Sequence, residues 1–286
     1  MRFLRMLAVA VVLLAGYAVA QQTAPTDHRA DVPFFAVDSH NDLIRHLTAA
    51  EFTFWDGKTE LTSGVTVQSG SELPLRLGVL VDTSTKAHGD AYAAALHAIS
   101  NFVQGAMLEQ NVRVFFVPFA NKTDMSAFMS KDDLAHYQLK ISKGDGAALY
   151  DAIVGACKER MAVEETHPAR RVLVVISNGE DNQSRFTYQQ AIAAAQSAGV
   201  VIFTVNTGSG GSGDHGEVRL REFSDQTGGI IFPGSNPGTI SRPFEAISDQ
   251  IHSMYVASYA PADPANAHLT VKAKSEKTVK VRQARR

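Results

Sequence analysis

The chain has 286 residues, of which 45% are hydrophobic and 20% are charged, with 27 basic and 29 acidic side chains. This length and apolar content allow one large folded domain, or one domain with a small module, and they argue against a disordered chain. The formal net charge of −2 disfavours a general nucleic-acid binder, which would carry an excess of lysine and arginine.

The first twenty residues have the pattern of a secretory signal peptide. Arg2 and Arg5 precede an apolar run that ends in Ala18-Val19-Ala20. This run is short for a membrane span, and its small final residues favour cleavage after Ala20 over the alternative of an uncleaved anchor. We therefore expect a secreted or periplasmic protein with no transmembrane segment after cleavage and with a flexible start over residues 21–32.

Residues 33–72 are typical of a β segment that lies beside a larger domain. The pair Asp56-Gly57 predicts a hairpin turn, and residues 47–51 predict a short helical turn. Strand character returns over residues 255–286, where apolar and basic residues alternate. We expect this C-terminal β segment to pack near the N-terminal one.

Between these segments, residues 73–254 alternate strand-like and helix-like stretches. Apolar strands are predicted over 75–81, 112–119, 171–177, 200–206 and 229–232, and helices over 88–109, 131–140, 146–163, 187–198, 216–226 and 239–254. Such alternation predicts an α/β fold, with a mostly parallel sheet covered by helices on both faces and with sites at the carboxyl ends of its strands. The single cysteine, Cys157, lies in an apolar helical pattern and is predicted to be buried.

The first of these strands ends in Asp82-Thr83-Ser84-Thr85-Lys86, which resembles the first segment of the metal-ion-dependent adhesion site of von Willebrand factor type A (VWA) domains. The resemblance extends along nearly the whole mature chain and is closest to the VWFA-related family best known from Acidobacteria. The stretches that carry it are LTAAEFTFWDGK (47–58), LPLRLGVLVDTS (73–84), GAALYDAI (146–153), VLVVISNGEDNQSR (172–185), VVIFTVNTGSG (200–210), LREFSDQTGGIIF (220–232) and YVASYAP (255–261). The resemblance implies a Rossmann-like, doubly wound sheet and a binding or adhesion role in a secreted or envelope protein.

The resemblance also implies five ligand positions for Mg²⁺, which fall here on Asp82, Ser84, Lys86, Ala147 and Asn178. A lysine ammonium has no lone pair, alanine offers no side-chain oxygen, and asparagine keeps a carbonyl but loses the charge. We therefore expect no cofactor. If Mg²⁺ were bound, Asp82, Ser84 and Asn178 would hold it. The alternative role for Asp82 and Ser84 is to stabilise the turn by hydrogen bonding.

A sharper hypothesis concerns Lys86, whose ammonium would pair with Asp82 if the side chain turned inward and would meet an acidic side chain on a partner protein. The alternative is a solvated lysine at the start of a helix. Glu180 and Asp181, the acidic pair that follows Asn178, are interpreted as surface residues. The sequence thus predicts a metal-independent, non-enzymatic protein–protein interaction or adhesion domain with an unknown partner.

Competing functions have weaker support in the sequence. The run Gly208–Gly213 matches a dinucleotide-binding pattern, but it follows a late strand and has no acidic residue after the next strand. No hydrolase motif accompanies the ten histidines. The third alternative is a structural envelope protein whose basic end touches anionic lipid or polysaccharide, through Lys272, Lys274, Lys277, Lys280, Arg282, Arg285 and Arg286.

Overall fold

The structure, a computed structural model, describes residues 29–84, 90–139, 141, 144–163, 167–208, 213–264 and 267–285. Its strands are β1 (Ala30–Val37), β2 (Phe52–Asp56), β3 (Thr59–Leu61), β4 (Thr66–Ser69), β5 (Leu75–Asp82), β6 (Val112–Phe119), β7 (Arg170–Ser177), β8 (Val201–Asn206), β9 (Ile231–Pro233), β10 (Tyr255–Tyr259), β11 (Leu269–Ala273) and β12 (Lys280–Gln283). Its α-helices are α1 (Asp90–Ala106), α2 (Lys131–His136), α3 (Leu149–Ala156), α4 (Tyr188–Ser197), α5 (His215–Thr227) and α6 (Ser241–Ser253). Helix α3 continues as a π-helical segment over Cys157–Met161.

A central sheet of five parallel strands has the order β6-β5-β7-β8-β9. Its strands are continuous apolar runs because both faces of the sheet are covered. One face packs against α1 and α6 through residues such as Ile99 and Ile247, and the other packs against α3, α4 and α5 through Ile153, Ala191 and Leu220. The predicted doubly wound α/β fold is confirmed.

The remaining strands, β1–β4 and β10–β12, form two antiparallel sheets that we call the β module. Their orders are β12-β1-β10-β4 and β11-β2-β3. The two chain ends therefore pack together, as the sequence predicted, with Ala30 opposite Tyr259. The ring of Phe34 lies 5.1 Å from that of Phe52 and 5.3 Å from that of Tyr255, which gives this module its own aromatic core.

Strand β1 joins the β module to the central sheet because both of its faces are buried. Phe34 lies in the core of the β module, whereas the next residue, Phe35, packs edge-on against Phe203 of β8 with 6.2 Å between ring centroids. The guanidinium of Arg282 lies 4.4 Å from the centre of the Phe35 ring and donates from Nε to the carbonyl of Gly228 at 3.0 Å. The first and the last described strands thus meet at one junction.

Two predictions about the chain ends need correction. Strand β1 begins at Ala30, so residues 30–32 of the predicted flexible segment are paired with β10, a contact that local sequence does not reveal. Arg282, which the sequence placed among the basic residues that would touch lipid or polysaccharide, is instead half-buried at the junction, where desolvation lowers its pKa to about 10. Cys157, in contrast, is buried as predicted, and desolvation raises the pKa of its thiol to about 12.

Some predictions fall outside the part of the chain that the structure describes. These are the signal peptide over residues 1–20, the adhesion-site position Lys86, and residues 209–212 of the glycine-rich run. Within the described part, no helix has the length and apolar character needed to cross a membrane.

Candidate functional site

The candidate site lies where the parallel strands end. Four segments of the described chain reach this carboxyl edge with the same local hydrogen bond. In each, the side-chain oxygen of an Asp or Asn accepts from the backbone N–H two residues later: Asp82 from Ser84, Asn178 from Glu180, Asn206 from Gly208, and Asn236 from Gly238. Such turns end a strand without leaving the next backbone donor unpaired. We call residues 82–84, 144–148, 177–187, 206–208 and 234–238 the carboxyl-edge loops.

Asp82 is the acidic side chain at the centre of this edge, and it is only 2% exposed. Its Oδ1 accepts from the backbone N–H of Ser84 at 3.0 Å, and its Oδ2 accepts from the hydroxyl of Ser177 at 2.9 Å. Desolvation by burial raises the pKa of Asp82, and the nearby charge of Glu180 acts in the same direction, while the hydrogen bonds from Ser84 and Ser177 oppose the rise. Both carboxylate oxygens are therefore engaged by groups of the chain itself.

Ser84 and Thr83 hold the turn that follows Asp82. Ser84 is 4% exposed, and its backbone N–H is the donor to Asp82. Thr83 donates from both its backbone N–H and its hydroxyl to the carbonyl of Phe119, at 2.7 and 3.0 Å. This arrangement provides the turn-stabilising role that the sequence offered as an alternative to metal binding.

Ala147 lies against the loop that follows β7, as its sequence position in the pattern implied. Its backbone N–H donates to Oδ1 of Asn182 at 3.0 Å, and its carbonyl accepts from the N–H groups of Asn182 and Gln183 at 3.0 and 3.1 Å. Its side chain is buried in the core below the edge. The position is thus held close to the candidate site but presents only a methyl group.

Asn178 lies half-buried beside the end of β8. A Cβ atom added to Gly208 would lie 3.3 Å from Cβ of Asn178 and 3.1 Å from Oδ1 of Asn206. On its other side, Gly179 has a left-handed φ of 82° and approaches the first turn of α5 so closely that an added Cβ would lie 2.1 Å from the carbonyl oxygen of Gly216. Backbone contacts that only glycine permits therefore fix where Asn178 stands.

Asp181, interpreted from the sequence as a surface residue, has a structural role that the sequence did not reveal. The first helical residue of α3 follows Ala148, whose side chain cannot cap a helix. Instead, Asp181 accepts from the N–H of Tyr150 at 2.8 Å and from the hydroxyl of Ser184 at 2.6 Å, and Ser184 Oγ accepts from the N–H of Asp151 at 2.9 Å. The loop after β7 thus caps α3 from outside the helix.

Asp151, which lies on α3, also holds this loop, by accepting hydrogen bonds from its backbone. Its Oδ1 accepts from the backbone N–H groups of Arg185 and Phe186 at 2.9 and 3.0 Å. In the sequence these residues are visible only as polar side chains at the start of a helix and in the loop after β7. Which of them pair depends on the fold. The loop and α3 therefore form one hydrogen-bonded unit.

The side chains at this edge do not fit the oxygen ligand set of Mg²⁺, which favours a near-octahedral arrangement of oxygen ligands. Ala147 offers no side-chain oxygen, Oδ1 of Asn178 accepts from Glu180, and both oxygens of Asp82 already accept hydrogen bonds. No group of three or more His, Cys, Asp or Glu side chains with metal-binding geometry occurs among the described residues. The place of Lys86 in this arrangement lies outside them.

Comparison with known proteins agrees with the fold. The family model described as von Willebrand factor type A domain matches residues 77–245, more than half of the chain. None of the curated proteins matched. Proximal thread matrix protein 1 of the mussel byssus is 12% identical, with a TM-score of 0.51 over 77% of this chain and 51% of that protein.

Two further solved structures show the range of similar proteins. A second structure of the mussel protein, with a zinc-occupied MIDAS motif, is 15% identical, with a TM-score of 0.51, and the match covers 68% of this chain and 50% of that one. The vWF domain of the type V pili tip protein Mfa5 from Porphyromonas gingivalis is 13% identical, with a TM-score of 0.48, over 63% of this chain and 95% of that one. The chain spans about half the length of the mussel protein it matches. The parallel sheet, the covering helices and the matched residues together show that the chain belongs to the von Willebrand factor type A domain family.

Proposed function

We propose that the chain is a non-enzymatic recognition domain that binds a protein partner through the carboxyl-edge loops without a metal ion. The observation that carries the proposal is the state of Asp82, whose two oxygens accept from Ser84 and Ser177 inside the fold. A Mg²⁺ site needs several oxygen ligands, whereas at the family's ligand positions Ala147 offers only a methyl group and Asn178 only a neutral amide. Here the edge keeps its shape by internal hydrogen bonds instead.

The proposal places the protein in the envelope or outside the cell, as a relative of the VWFA-related proteins of Acidobacteria. The signal-peptide pattern of residues 1–20 supports this location. Adhesion through the carboxyl-edge loops also agrees with the exposed positions of Glu180 and Asn182 on the rigid loop after β7. Loops carried by a firm scaffold are common binding surfaces.

Calorimetric titration with Mg²⁺ tests the metal-free part of the proposal. The natural protein should give no saturable heat, whereas the triple variant K86S, A147T and N178D, which restores the family's ligand types, should bind the ion. Tight binding of Mg²⁺ by the natural protein would contradict the proposal and favour a metal-dependent ligand site.

Affinity capture from the native envelope tests the partner. The same partner protein should be recovered with and without EDTA, and its recovery should fall when Glu180 is replaced by alanine. Replacing Glu276, which is exposed in the β module, by alanine gives a matched variant that should capture normally. Capture that depends on Glu276, or turnover of a substrate that Asp82→Asn abolishes, would refute the assigned surface or the non-enzymatic role.

A further inference from the structure

Edge strands decide whether one sheet pairs with another, and most of the edges in this protein are protected. Within the ranges that the structure describes, the three sheets end in six edge strands: β6, β9, β12, β4, β11 and β3. An unprotected edge presents free backbone N–H and C=O groups, so proteins usually cover their edges or interrupt them with charges or proline. The central sheet follows this rule, because Met129 of the segment after β6 bridges back to Val114, and β9 has three residues and ends in Pro233.

The β module is closed on one side and open on the other. On the closed side, Oε1 of Gln283 on β12 accepts from the N–H of Val271 at 2.8 Å, and its Nε2 donates to the carbonyl of Leu269 at 3.0 Å. This side-chain amide takes the backbone bonds that β11 offers at its edge, and it joins that edge to β12. On the open side, β3 is protected by its length of three residues and by the exposed Glu60. Strand β4 is the edge that none of these features protects.

Strand β4 presents backbone groups to its open side. Its sequence, TVQS, contains no charge and no proline. The next residue, Gly70, donates its N–H to the carbonyl of Met254 at 2.6 Å, and hydrogen-bonded positions alternate along an antiparallel pair. The backbone groups of Val67 and Ser69 therefore point away from β10, and no other described strand pairs with β4.

Gln68, between these two residues, has a side chain that suits contact with its own copy. It is half-buried, and its amide makes no hydrogen bond with a described residue. An amide is both donor and acceptor, so two identical amides pair, whereas two lysines or two glutamates on opposed strands repel each other. Leu61, Val65 and Val67 lie at the same side of the β module, only partly buried against its core, and a second strand there would remove more of their surface from water.

We propose that β4 pairs antiparallel with β4 of a second copy of this chain, about a two-fold axis beside Gln68. Val67 of each copy then lies opposite Ser69 of the other, so the outward backbone groups of both strands find partners. The two four-stranded sheets become one continuous sheet. Because the contact is isologous, both open edges are used and the assembly ends at two copies. The proposal uses no residue of the carboxyl-edge loops and is independent of the function assigned to them.

The chemistry of the edge favours a second copy as its occupant. Residues 66–69 bring no charge to the contact, so nothing in the strand repels its own copy or selects a charged partner. The contact between two strands of four residues is small, and small interfaces are weak, so the dimer should dissociate on dilution.

Sedimentation equilibrium of the purified protein over a wide range of concentrations tests the dimer. We expect a reversible equilibrium between monomer and dimer. Gln68→Lys, which places two ammonium groups together at the axis, should abolish the dimer, whereas Gln68→Thr, which is neutral and suited to a strand, should weaken it less. Gln189→Lys is the matched control, because it makes the same change at an exposed position of α4 and should dimerise as the natural protein does. Thermal unfolding curves establish that each variant is folded.

Cross-linking tests the register of the two strands. Opposed residues at a non-hydrogen-bonded position lie about 4.5 Å apart at Cα, within the roughly 4.4–6.8 Å that a disulfide spans. Gln68→Cys should therefore form a disulfide-linked dimer under mild oxidation, and Gln189→Cys should not, while Cys157 is buried and takes no part. A natural protein that is monomeric at every concentration, a Gln68→Lys variant that still dimerises, or equal cross-linking of both cysteine variants would overturn the proposal. If the protein is monomeric, protection of the Val67 amide from hydrogen exchange would assign the edge to another segment of the same chain.

Discussion

Asp82 combines burial with full hydrogen bonding, and the balance between the two determines how the residue responds to pH. Desolvation raises its pKa above the value in the unfolded chain, so the folded state holds this proton more tightly. As the pH rises from the pKa of Asp82 in the unfolded chain to its pKa in the folded protein, the free energy of unfolding therefore falls. Above the folded-state pKa the destabilisation by the buried charge is complete.

Replacing Asp82 by Asn removes this charge while keeping one acceptor for Ser84. The difference in unfolding free energy, variant minus natural protein, should be more favourable to the variant at pH 7 than at pH 4. Urea unfolding at both pH values in EDTA measures it. A difference that does not change with pH would mean that the pKa of Asp82 is not raised, and Asp42→Asn, at an exposed position, provides the baseline.

At the scale of single elements, helix α3 depends on a cap supplied by another segment. Asp181 accepts from the backbone N–H of Tyr150, while the helix's own preceding residue is Ala148. A helix whose first turn is capped in this way is stabilised together with the loop that carries the cap. The carboxyl-edge loop after β7 should therefore be as rigid as the helix.

Asp181→Ala should lower the unfolding free energy by about 1 kcal/mol, the usual effect of losing a cap. Asp181→Asn, which keeps an oxygen acceptor for Tyr150, should lose less. Hydrogen exchange at the amides of Tyr150, Asp151 and Ser184 should accelerate in the alanine variant. Unchanged exchange there would show that the loop and the helix are not coupled.

The elements show how far the sequence determines the structure. The runs 77–81 and 114–119 are apolar throughout, so their burial on both faces follows from composition alone, and the structure agrees. Asp82 and Ser84 were found from their place at the end of such a run. Asp181 was missed because its partner, Tyr150, is 31 residues away, and no local pattern identifies such a pair.

At the scale of the whole molecule, strand β1 belongs to two hydrophobic cores, that of the β module and that of the central sheet. Phe34 and Phe35 point to opposite sides of β1, into the core of the β module and toward Phe203 of the central sheet. Arg282 ties the last strand to Gly228 and to Gln250, at 3.0 and 2.5 Å. This junction was invisible in the sequence, where Arg282 belongs to an alternating basic strand.

Because β1 belongs to both cores, we expect the β module and the central sheet with its helices to unfold together. Fluorescence of the single tryptophan, Trp55, reports the β module, whereas far-UV circular dichroism reports mainly the helices of the central unit. The two urea transitions should coincide.

Arg282→Ala should lower the unfolding free energy by about 2 kcal/mol, through lost hydrogen bonds and a lost cation–π contact. The nearby exposed change Lys280→Ala should have little effect, and separate transitions in the natural protein would refute a single cooperative unit.

The position of β1 also has a consequence for the order in which the chain can fold. The ribosome makes this strand before its two neighbours, β10 and β12, which lie more than 200 residues later in the chain. Until those strands exist, Phe34 and Phe35 have no complete pairing surface. Contacts between such distant residues form slowly because a long loop must close first. The nascent chain therefore carries an unpaired, aggregation-prone strand until β10 and β12 have been made, and β1 is fully paired only once the chain reaches Gln283.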